Sequence, residues 1–366
     1  SGSADVRALA MHPELLTIPF TGLTIKGYGT LMVVGFLVAV WAIRRLCQRD
    51  GIDPVVITNA ALYSLVAGIV GARIFYVLHY WKDYRGDWTG VFMIWRGGLE
   101  FLGGVILAIV TLALYLRALR VPVRRALDIL AVGLMLGLGF GRIGCLLNGC
   151  CFGRPTDLPW GIRFPYNSYA YISQINPNPQ RGRTSPQLDL PKGTYWDFDD
   201  EDGRWHPKPL SLLTDQERFE VTRGKLRCLP VHPTQIYGSL KAFGLALILY
   251  LVWRAGHRLR RAGQAGRWLA RPGLTFGLML LLYGMARFLL EMLRDDNPYE
   301  LAGLTISQLM GLAMGGAGVV LLILASLAGP RVAGPAGPRA PVGTEQAQDR
   351  GGPSPPAGRV RGEARV

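Results

Sequence analysis

Residues 126–148 read ALDILAVGLMLGLGFGRIGCLLN, an almost unbroken apolar stretch that contains Arg142 near its end. A membrane-spanning helix needs about 20 mostly apolar residues. Gly133, Gly137 and Gly141 recur every four residues, a spacing that lets another helix approach closely. This stretch therefore predicts a packed transmembrane helix with an arginine inside the membrane.

The rest of the chain repeats this pattern. Of 366 residues, 50% are hydrophobic and only 18% are charged, a smaller charged share than in soluble domains. Five cysteines are too few for a disulfide-stapled secreted domain. Seven apolar blocks are long enough to span: 28–46, 54–78, 98–118, 126–148, 232–253, 273–293 and 302–328. The fold class predicted is an all-α polytopic membrane protein with seven transmembrane helices.

The placement of the basic residues predicts the orientation. Arginines concentrate in the loops after the first, third and fifth blocks, whereas the loops after the second and sixth mix both signs. Because short cytoplasmic loops are enriched in Lys and Arg, the N-terminus is expected outside and the C-terminus in the cytoplasm. The net charge of +15 is thus mainly topogenic, and no nucleic-acid partner is expected.

The predicted domains follow from this topology. Residues 1–27 form an outer segment, 28–153 contain spans 1–4, and 232–328 contain spans 5–7. Residues 154–231 form a nearly neutral outer-face insert, expected to be a small, irregular or β-containing head. Its acidic cluster (197–202) is interpreted as solvated. Residues 329–366, rich in Gly and Pro, are expected to form a disordered cytoplasmic tail.

Polar residues inside the spans fall in one membrane half. By the predicted topology, the outer half collects Tyr28, Arg73, Glu100, Arg142, Asn148, His232, Gln235, Tyr283, Arg287, Glu291 and Arg294. Ionisable groups in lipid are costly and mark functional sites. Three arginines (73, 142 and 287) lie within apolar runs, and a guanidinium suits phosphate. The surplus positive charge favours a lipid phosphate, although pairing with Glu100 or Glu291 is the alternative. Arg287 and Glu291, four residues apart, are placed for a salt bridge.

The cysteines near the end of the fourth span carry little signal. Cys145, Cys150 and Cys151 have a C-x4-C-C spacing that is not a standard zinc pattern, and no His is nearby in sequence. Packing of small apolar thiols is the expected role, with redox activity of the vicinal pair as the alternative.

Several motifs resemble those of the bacterial prolipoprotein diacylglyceryl transferase family. The matching segments are Ile25–Gly29, Gly71–Tyr76, Arg96–Leu99 with Gly103–Gly104, Gly141–Gly144 with Asn148–Gly149 and Gly153–Arg154, His232–Tyr237, and Tyr283–Arg287 with Glu291 and Arg294. Together they extend over residues 20–325 without the insert. Seven spans with an outer N-terminus in the cytoplasmic membrane are also the arrangement that the resemblance implies.

The resemblance implies a reaction and its partners. Diacylglyceryl moves from phosphatidylglycerol to the lipobox cysteine of a prolipoprotein signal peptide, releasing glycerol phosphate, with no metal or cofactor. Arg142 and Arg287 are expected to bind the phosphate and stabilise the leaving group. Tyr28 and Glu100 are the further catalytic candidates. The expected lipid-binding residues are Arg142, Arg287, Arg73, Asn148, Gly153, Tyr283, Glu291, Arg294, His232 and Gln235.

Three positions depart from the family pattern. Leu102 stands where many members carry a His proposed as general base, Cys145 replaces a common Asn, and Cys150 replaces a frequent Glu. The base is therefore open between Glu100, Tyr28, His232 and no dedicated base, with the arginine field lowering the pKa of the thiol. A paralogue that binds phosphatidylglycerol but serves another acceptor, or none, is the alternative function. A transporter is disfavoured because no repeated halves are present.

Overall fold

The computed structural model describes residues 14–17, 24–84, 86, 88–93, 97–199 and 204–327. Six helices are long and apolar enough to cross a membrane. They are α1 (Gly27–Asp50), α2 (Pro54–His79), α5 (Val123–Asn148), α9 (Thr234–Arg261), α10 (Leu274–Glu291) and α11 (Ile306–Leu327). The protein is therefore a mostly helical, polytopic membrane protein.

The helix in the region of the third predicted span is shorter than the sequence predicted. A short helix, α3 (Trp88–Phe92), precedes it. The expected block began at residue 98, but helix α4 runs from Phe101 to Ala118. Gly97 and Gly98 have φ angles of +88° and +74°, a conformation outside the helical region, so the helix begins only after Glu100. With 18 residues, α4 is about 27 Å long, slightly less than the hydrocarbon core.

Helix α5 lies at the centre of the bundle and packs against α1, α9 and α10, while α2 pairs with α4 and α10 with α11. The predicted glycine strip does face another helix, α1. A Cβ on Gly133 would lie 2.4 Å from Cδ1 of Ile43, whereas one on Gly137 would have ordinary contacts at 3.7 Å. The close approach is therefore made mainly at Gly133.

The bundle has an apolar interior and an equally apolar exterior. Ile129, Leu249 and Trp253 are fully buried between the helices. Large apolar side chains such as Trp41 and Leu78 instead point outward and are more than half exposed. Such an outer surface is unfavourable in water and suits lipid.

A folded head occupies the chain between α5 and α9. It contains α6 (Tyr169–Ile175), α7 (Lys192–Tyr195), α8 (Asp215–Thr222) and an antiparallel hairpin of β3 (Trp196–Asp199) and β4 (Arg204–Pro207). Its own core includes Phe164 and Tyr171. The side-chain amide of buried Gln174 accepts a hydrogen bond from the N–H of Leu229 at 2.8 Å and donates one to the carbonyl of Leu229 at 3.2 Å. The sequence predicted an irregular or β-containing head, and the described residues of this stretch contain three short α-helices beside one hairpin.

A second hairpin precedes the first helix. Its strands, β1 (Glu14–Thr17) and β2 (Thr24–Lys26), pair antiparallel.

Three of the regions predicted from the sequence lie wholly or partly outside the described residues. These are the rest of the N-terminal segment 1–27, residues 200–202 of the acidic cluster, and the tail 329–366.

The Arg-rich ends of α1 and α9 meet at an ion-pair network. Asp50, the last residue of α1, accepts from Arg260 at 3.2 Å and contacts Nδ1 of His257 at 2.8 Å. This network fixes the end of the bundle opposite to the one that carries Arg142.

Candidate functional site

The site is built around the abrupt end of α5. Gly149 caps the helix at φ +73°, and the N–H of Cys150 donates to the carbonyl of Cys145 at 3.2 Å. Gly in this left-handed conformation is a common helix stop. The helix therefore ends in a tight turn, and Arg142 lies six residues, or about 9 Å, inside the helix end.

Beyond this turn, backbone hydrogen bonds join three distant segments. The N–H of Gly153 donates to His232 O at 3.1 Å, that of His232 to Arg154 O at 3.0 Å, and that of Arg154 to Leu293 O at 2.8 Å. A Cβ on Gly153 would lie 2.6 Å from the carbonyl oxygen of His232, so only glycine fits. This three-segment junction fixes the ends of α5, α9 and α10 relative to one another.

The junction brings four cations together. Lys241 interacts electrostatically with Arg142, Arg287 and Arg294, which come from α5, from α10 and from the turn after α10. Lys241 lies two turns, about 10 Å, inside the start of α9, a depth similar to that of Arg142 in α5. The three arginines were predicted from the sequence, whereas Lys241 was missed. The rule that identified the arginines, a charge within an apolar run, applies to it equally.

Two of these cations are paired with carboxylates. The Arg287 guanidinium lies 3.0 Å from the fully buried carboxylate of Glu291, which confirms the salt bridge expected from their spacing. Arg294 binds Asp296 through two hydrogen bonds of 2.8 and 2.6 Å and lies 3.6 Å from Glu291. Asn297 also donates to Glu291.

The other two cations have no acidic partner. Within the described part of the chain, Arg142 and Lys241 form no ion pair or hydrogen bond. The stem of Arg142 lies against Gly238, where a Cβ would come within 3.1 Å of its Cδ. The Lys241 ammonium lies 4.8 Å from the ring centroid of Tyr283, a cation–π contact. An arginine without an acidic partner, with a lysine beside it, favours an anionic ligand.

Two further predicted residues lie beside Arg142. Tyr28, near the start of α1, packs against Gly144 and interacts electrostatically with Arg142 and Cys145. Asn148 is the last residue of α5 and its side chain interacts electrostatically with Cys150. The structure therefore brings both to the cluster, as the sequence predicted.

Arg73 does not join the cluster. Its guanidinium donates to the carbonyls of Gly90, Val91, Gly97 and Gly98 at 2.5–2.9 Å. These bonds use its donors on the backbone of the loop between α2 and α4 and leave little capacity for a phosphate. The physical reason for the difference from expectation is that the loop folds back over α2.

Glu100 is likewise placed apart from the cations. Its carboxylate lies 3.5 Å from Nδ1 of His79, and its N–H donates to Ala72 O, both on α2. The alternative in which an intramembrane arginine pairs with Glu100 is absent among the described ion pairs. Leu102, at the position where many members of the resembling family carry a histidine, is half exposed on α4.

His232 and Gln235 act on the backbone. The fully buried Gln235 donates to Cys150 O at 2.8 Å, and Thr234 donates to Cys151 O at 2.5 Å. Both His232 backbone groups belong to the three-segment junction. These residues therefore position the chain after α5. The sequence motif alone could not distinguish this positioning role from the lipid-binding role that was predicted.

The three cysteines meet beside the cations. The sulfur atoms of Cys145, Cys150 and Cys151 all lie within 4.8 Å of one another, although the spacing predicted no such grouping. Cys151 interacts electrostatically with Arg142 and Arg294. The helix stop at Gly149 brings the vicinal pair back over Cys145.

Comparison with known proteins identifies the family of this chain. The family model described as "Prolipoprotein diacylglyceryl transferase" matches residues 13–324. A phosphatidylglycerol–prolipoprotein diacylglyceryl transferase of Clostridium tetani is 27% identical over 82% of this chain and 93% of its own length. The Rhodospirillum rubrum protein of the same name is 28% identical over 88% of this chain and 94% of its own length. The chain therefore belongs to the prolipoprotein diacylglyceryl transferase family.

Proposed function

We propose that this protein transfers the diacylglyceryl group of phosphatidylglycerol to the thiol of a lipobox cysteine in a prolipoprotein signal peptide, releasing glycerol phosphate. The observation that carries the proposal is Arg142, which has no acidic partner among the described residues and lies with Lys241 and Arg287 in one cluster. A phosphodiester headgroup supplies the missing negative charge. The names of the Clostridium tetani and Rhodospirillum rubrum relatives give phosphatidylglycerol and a prolipoprotein as the two substrates.

The cations fit the chemistry of the leaving group. When the ester C–O bond breaks, the phosphate gains negative charge, and donors fixed before the reaction stabilise it most effectively. Arg142 offers its planar donors to the phosphate, and Lys241 adds a point charge. Arg287 is held by Glu291 and faces the same cluster, so it adds positive potential without needing to reorient. Tyr283 orients Lys241.

The nucleophile is the substrate's own thiol, so the protein supplies position and charge. Tyr28 is the base candidate that lies next to Arg142. Asn148 and Gly153 shape the turn over the site, and Arg294, His232 and Gln235 hold that turn. Arg73 and Glu100, with their contacts around α2, stay outside the proposed centre and organise the loop before α4.

The proposed topology places the cation cluster in the outer half of the bacterial cytoplasmic membrane. Helix α4 serves as the third of seven spans. The head (154–231) lies on the outer face between spans 4 and 5, the segment 1–27 is outside, and the tail (329–366) is cytoplasmic. The arginines at the end of α1 and α9, opposite the cluster, support this orientation through the positive-inside rule.

The test is complementation of a strain in which the resident transferase is conditionally depleted, with a gel-shift assay of a model prolipoprotein. Growth with lipidated product is expected for the full chain and for Arg258→Ala, an exposed arginine at the far end of α9. Arg142→Ala is expected to insert normally and yield no product. Correctly inserted wild-type protein with no lipidation would overturn the proposal.

A further inference from the structure

Three cysteine side chains, those of Cys145, Cys150 and Cys151, meet where α5 ends. Their sulfur atoms come from the last turn of α5 and from the turn that follows, and all lie within 4.8 Å of one another. Sulfur ligands of one zinc ion lie about 2.3 Å from it, which places them roughly 3.8 Å apart. The sulfur atoms of Cys145, Cys150 and Cys151 therefore need to close by about 1 Å or less.

The turn that carries two of these cysteines is held in advance. Cys151 has a φ angle of +63°, in a region that non-glycine residues seldom adopt. Thr234 and the buried Gln235 hold the carbonyls of Cys151 and Cys150. A strained backbone kept in place by its surroundings is typical of a functional site. A disulfide between the vicinal pair is disfavoured, because adjacent Cα atoms lie about 3.8 Å apart, closer than the usual range for disulfides.

The surrounding charge also suits a metal bound by three thiolates. A zinc ion with three thiolates carries one net negative charge. Arg142 and Arg294 interact electrostatically with Cys151 and offset that charge.

The cluster is accessible from the head side. A cavity of about 250 Å³ is lined by Cys150, Cys151 and Tyr169, with Asp295 and Asp296 on its wall. Both carboxylates already pair with cations, Asp295 with Arg183 and Asp296 with Arg294, so the thiols of Cys150 and Cys151 are the soft ligands that this cavity presents. The cavity gives an ion an entry path and leaves room for a fourth ligand.

We propose that Cys145, Cys150 and Cys151 bind a zinc ion whose open fourth position takes the acceptor thiol. This inference rests on the proposed function and deepens it. A site with three protein ligands and one open position is the arrangement of catalytic zinc. A zinc ion at this position would activate the thiol in a chain that has Leu102 where many family members carry a histidine proposed as general base.

The acceptor thiol binds zinc and loses its proton to solvent, because a coordinating thiol is deprotonated. The zinc-bound thiolate attacks the terminal glycerol carbon of the diacylglyceryl group, forming a C–S bond. The C–O bond breaks, and its electron pair leaves with the phosphate oxygen of glycerol phosphate. The neutral thioether then dissociates from zinc.

The experiment uses the full chain purified in detergent, with zinc or cobalt(II) as the probe. We expect about one zinc per chain, and cobalt substitution is expected to produce the absorption bands of a tetrahedral sulfur site. A lipobox peptide with Cys is expected to change that spectrum, whereas the same peptide with Ser is not. Cys145→Ser, Cys150→Ser and Cys151→Ser are each expected to lose most of the metal. Cys228→Ser, a buried head cysteine outside the cluster, is expected to retain it.

Wild-type protein stripped by a chelator provides a measurement that does not depend on the folding of a variant. Transfer is expected to fall at least tenfold and to return with zinc. A disulfide among the three cysteines in native protein, or full transfer without metal, would overturn the zinc site. A cobalt spectrum that responds to the Cys peptide in a protein without transfer would support the metal site and contradict the proposed function instead.

Discussion

Arg287 and Glu291 lie one helical turn apart on α10, and their charged atoms are 3.0 Å from each other in a region where the Glu291 side chain is fully buried. A buried carboxylate in such a place needs a cation. Arg287 therefore has two tasks, neutralising Glu291 and adding to the positive potential around Arg142. The two tasks are separable by mutation.

Replacing Arg287 with Gln is expected to destabilise the protein, because Glu291 loses its nearest cation. Breaking a buried pair costs about 3–5 kcal/mol, and Arg294 at 3.6 Å reduces the loss toward the lower value. The double variant Arg287→Gln/Glu291→Gln is expected to recover most of the stability but not the activity. Thermal unfolding in detergent and the transfer rate measure the two effects. Equal activity in the double variant and wild type would remove Arg287 from the reaction.

Arg142 and Lys241 are expected to behave differently, because neither neutralises a carboxylate. Arg142→Gln is expected to lower kcat/KM for phosphatidylglycerol by about 100-fold with little loss of stability. Lys241→Gln is expected to lower it by about tenfold, and Lys241→Arg to restore most of it. Steady-state kinetics in mixed micelles measures this. Wild-type kinetics for Lys241→Gln would remove the lysine from the phosphate site.

Gly153→Ala is expected to disrupt the three-segment junction. Its new methyl group would lie 2.6 Å from the His232 carbonyl oxygen and 2.9 Å from that of Leu293, both backbone atoms. The matched control is Gly244→Ala within α9, where a Cβ meets nothing within 4 Å. We expect a large loss of folded protein and activity only for the first. Size-exclusion profiles of the purified variants check this, and a normal profile for Gly153→Ala would contradict the close approach.

Arg73→Lys is expected to loosen the loop between α2 and α4 without a specific effect on lipid affinity. A lysine has three donors around one atom and cannot replace the fork that reaches the carbonyls of Gly90, Val91 and Gly97 together. Hydrogen exchange of residues 90–93 and 97–98 is expected to rise. Unchanged exchange with a selective increase in the KM for phosphatidylglycerol would return Arg73 to the lipid site.

Cys228 is expected to resist alkylation near neutral pH. Burial raises the pKa of its thiol to about 11, so at pH 8 about one molecule in a thousand carries the reactive thiolate. Its labelling by iodoacetamide should increase only as the pH approaches 11, because the thiolate fraction grows with pH below the pKa. Mass spectrometry of the head peptide measures this. Rapid labelling at pH 8 in folded protein would show that the head core is open.

The helices were predictable because a membrane demands long apolar segments, and six of the seven predicted blocks match helices of sufficient length. The block at 98–118 did not, because Gly97 and Gly98 adopt left-handed backbone angles that hydrophobicity does not reveal. The head was predicted only in outline, since its short elements depend on contacts such as those of Gln174 rather than on periodicity.

The site was predictable to the extent that charge in an apolar run marks it. That rule gave Arg142 and Arg287, and it applied equally to Lys241. It could not separate Arg73 from them, because the carbonyls that satisfy Arg73 come from a loop whose path is set by tertiary structure. The cysteine cluster also could not be predicted from the spacing of the cysteines in the sequence, because the turn at Gly149 brings their side chains together.

The two ends of the head are tied to each other before they reach the membrane. Val231 pairs with both Pro155 and Ile162, so the chain leaves and returns at one point. These pairings set the separation of α5 and α9 regardless of the length of the chain between residues 162 and 231. The head can therefore vary in length and surface without moving the helix ends that carry Arg142 and Lys241.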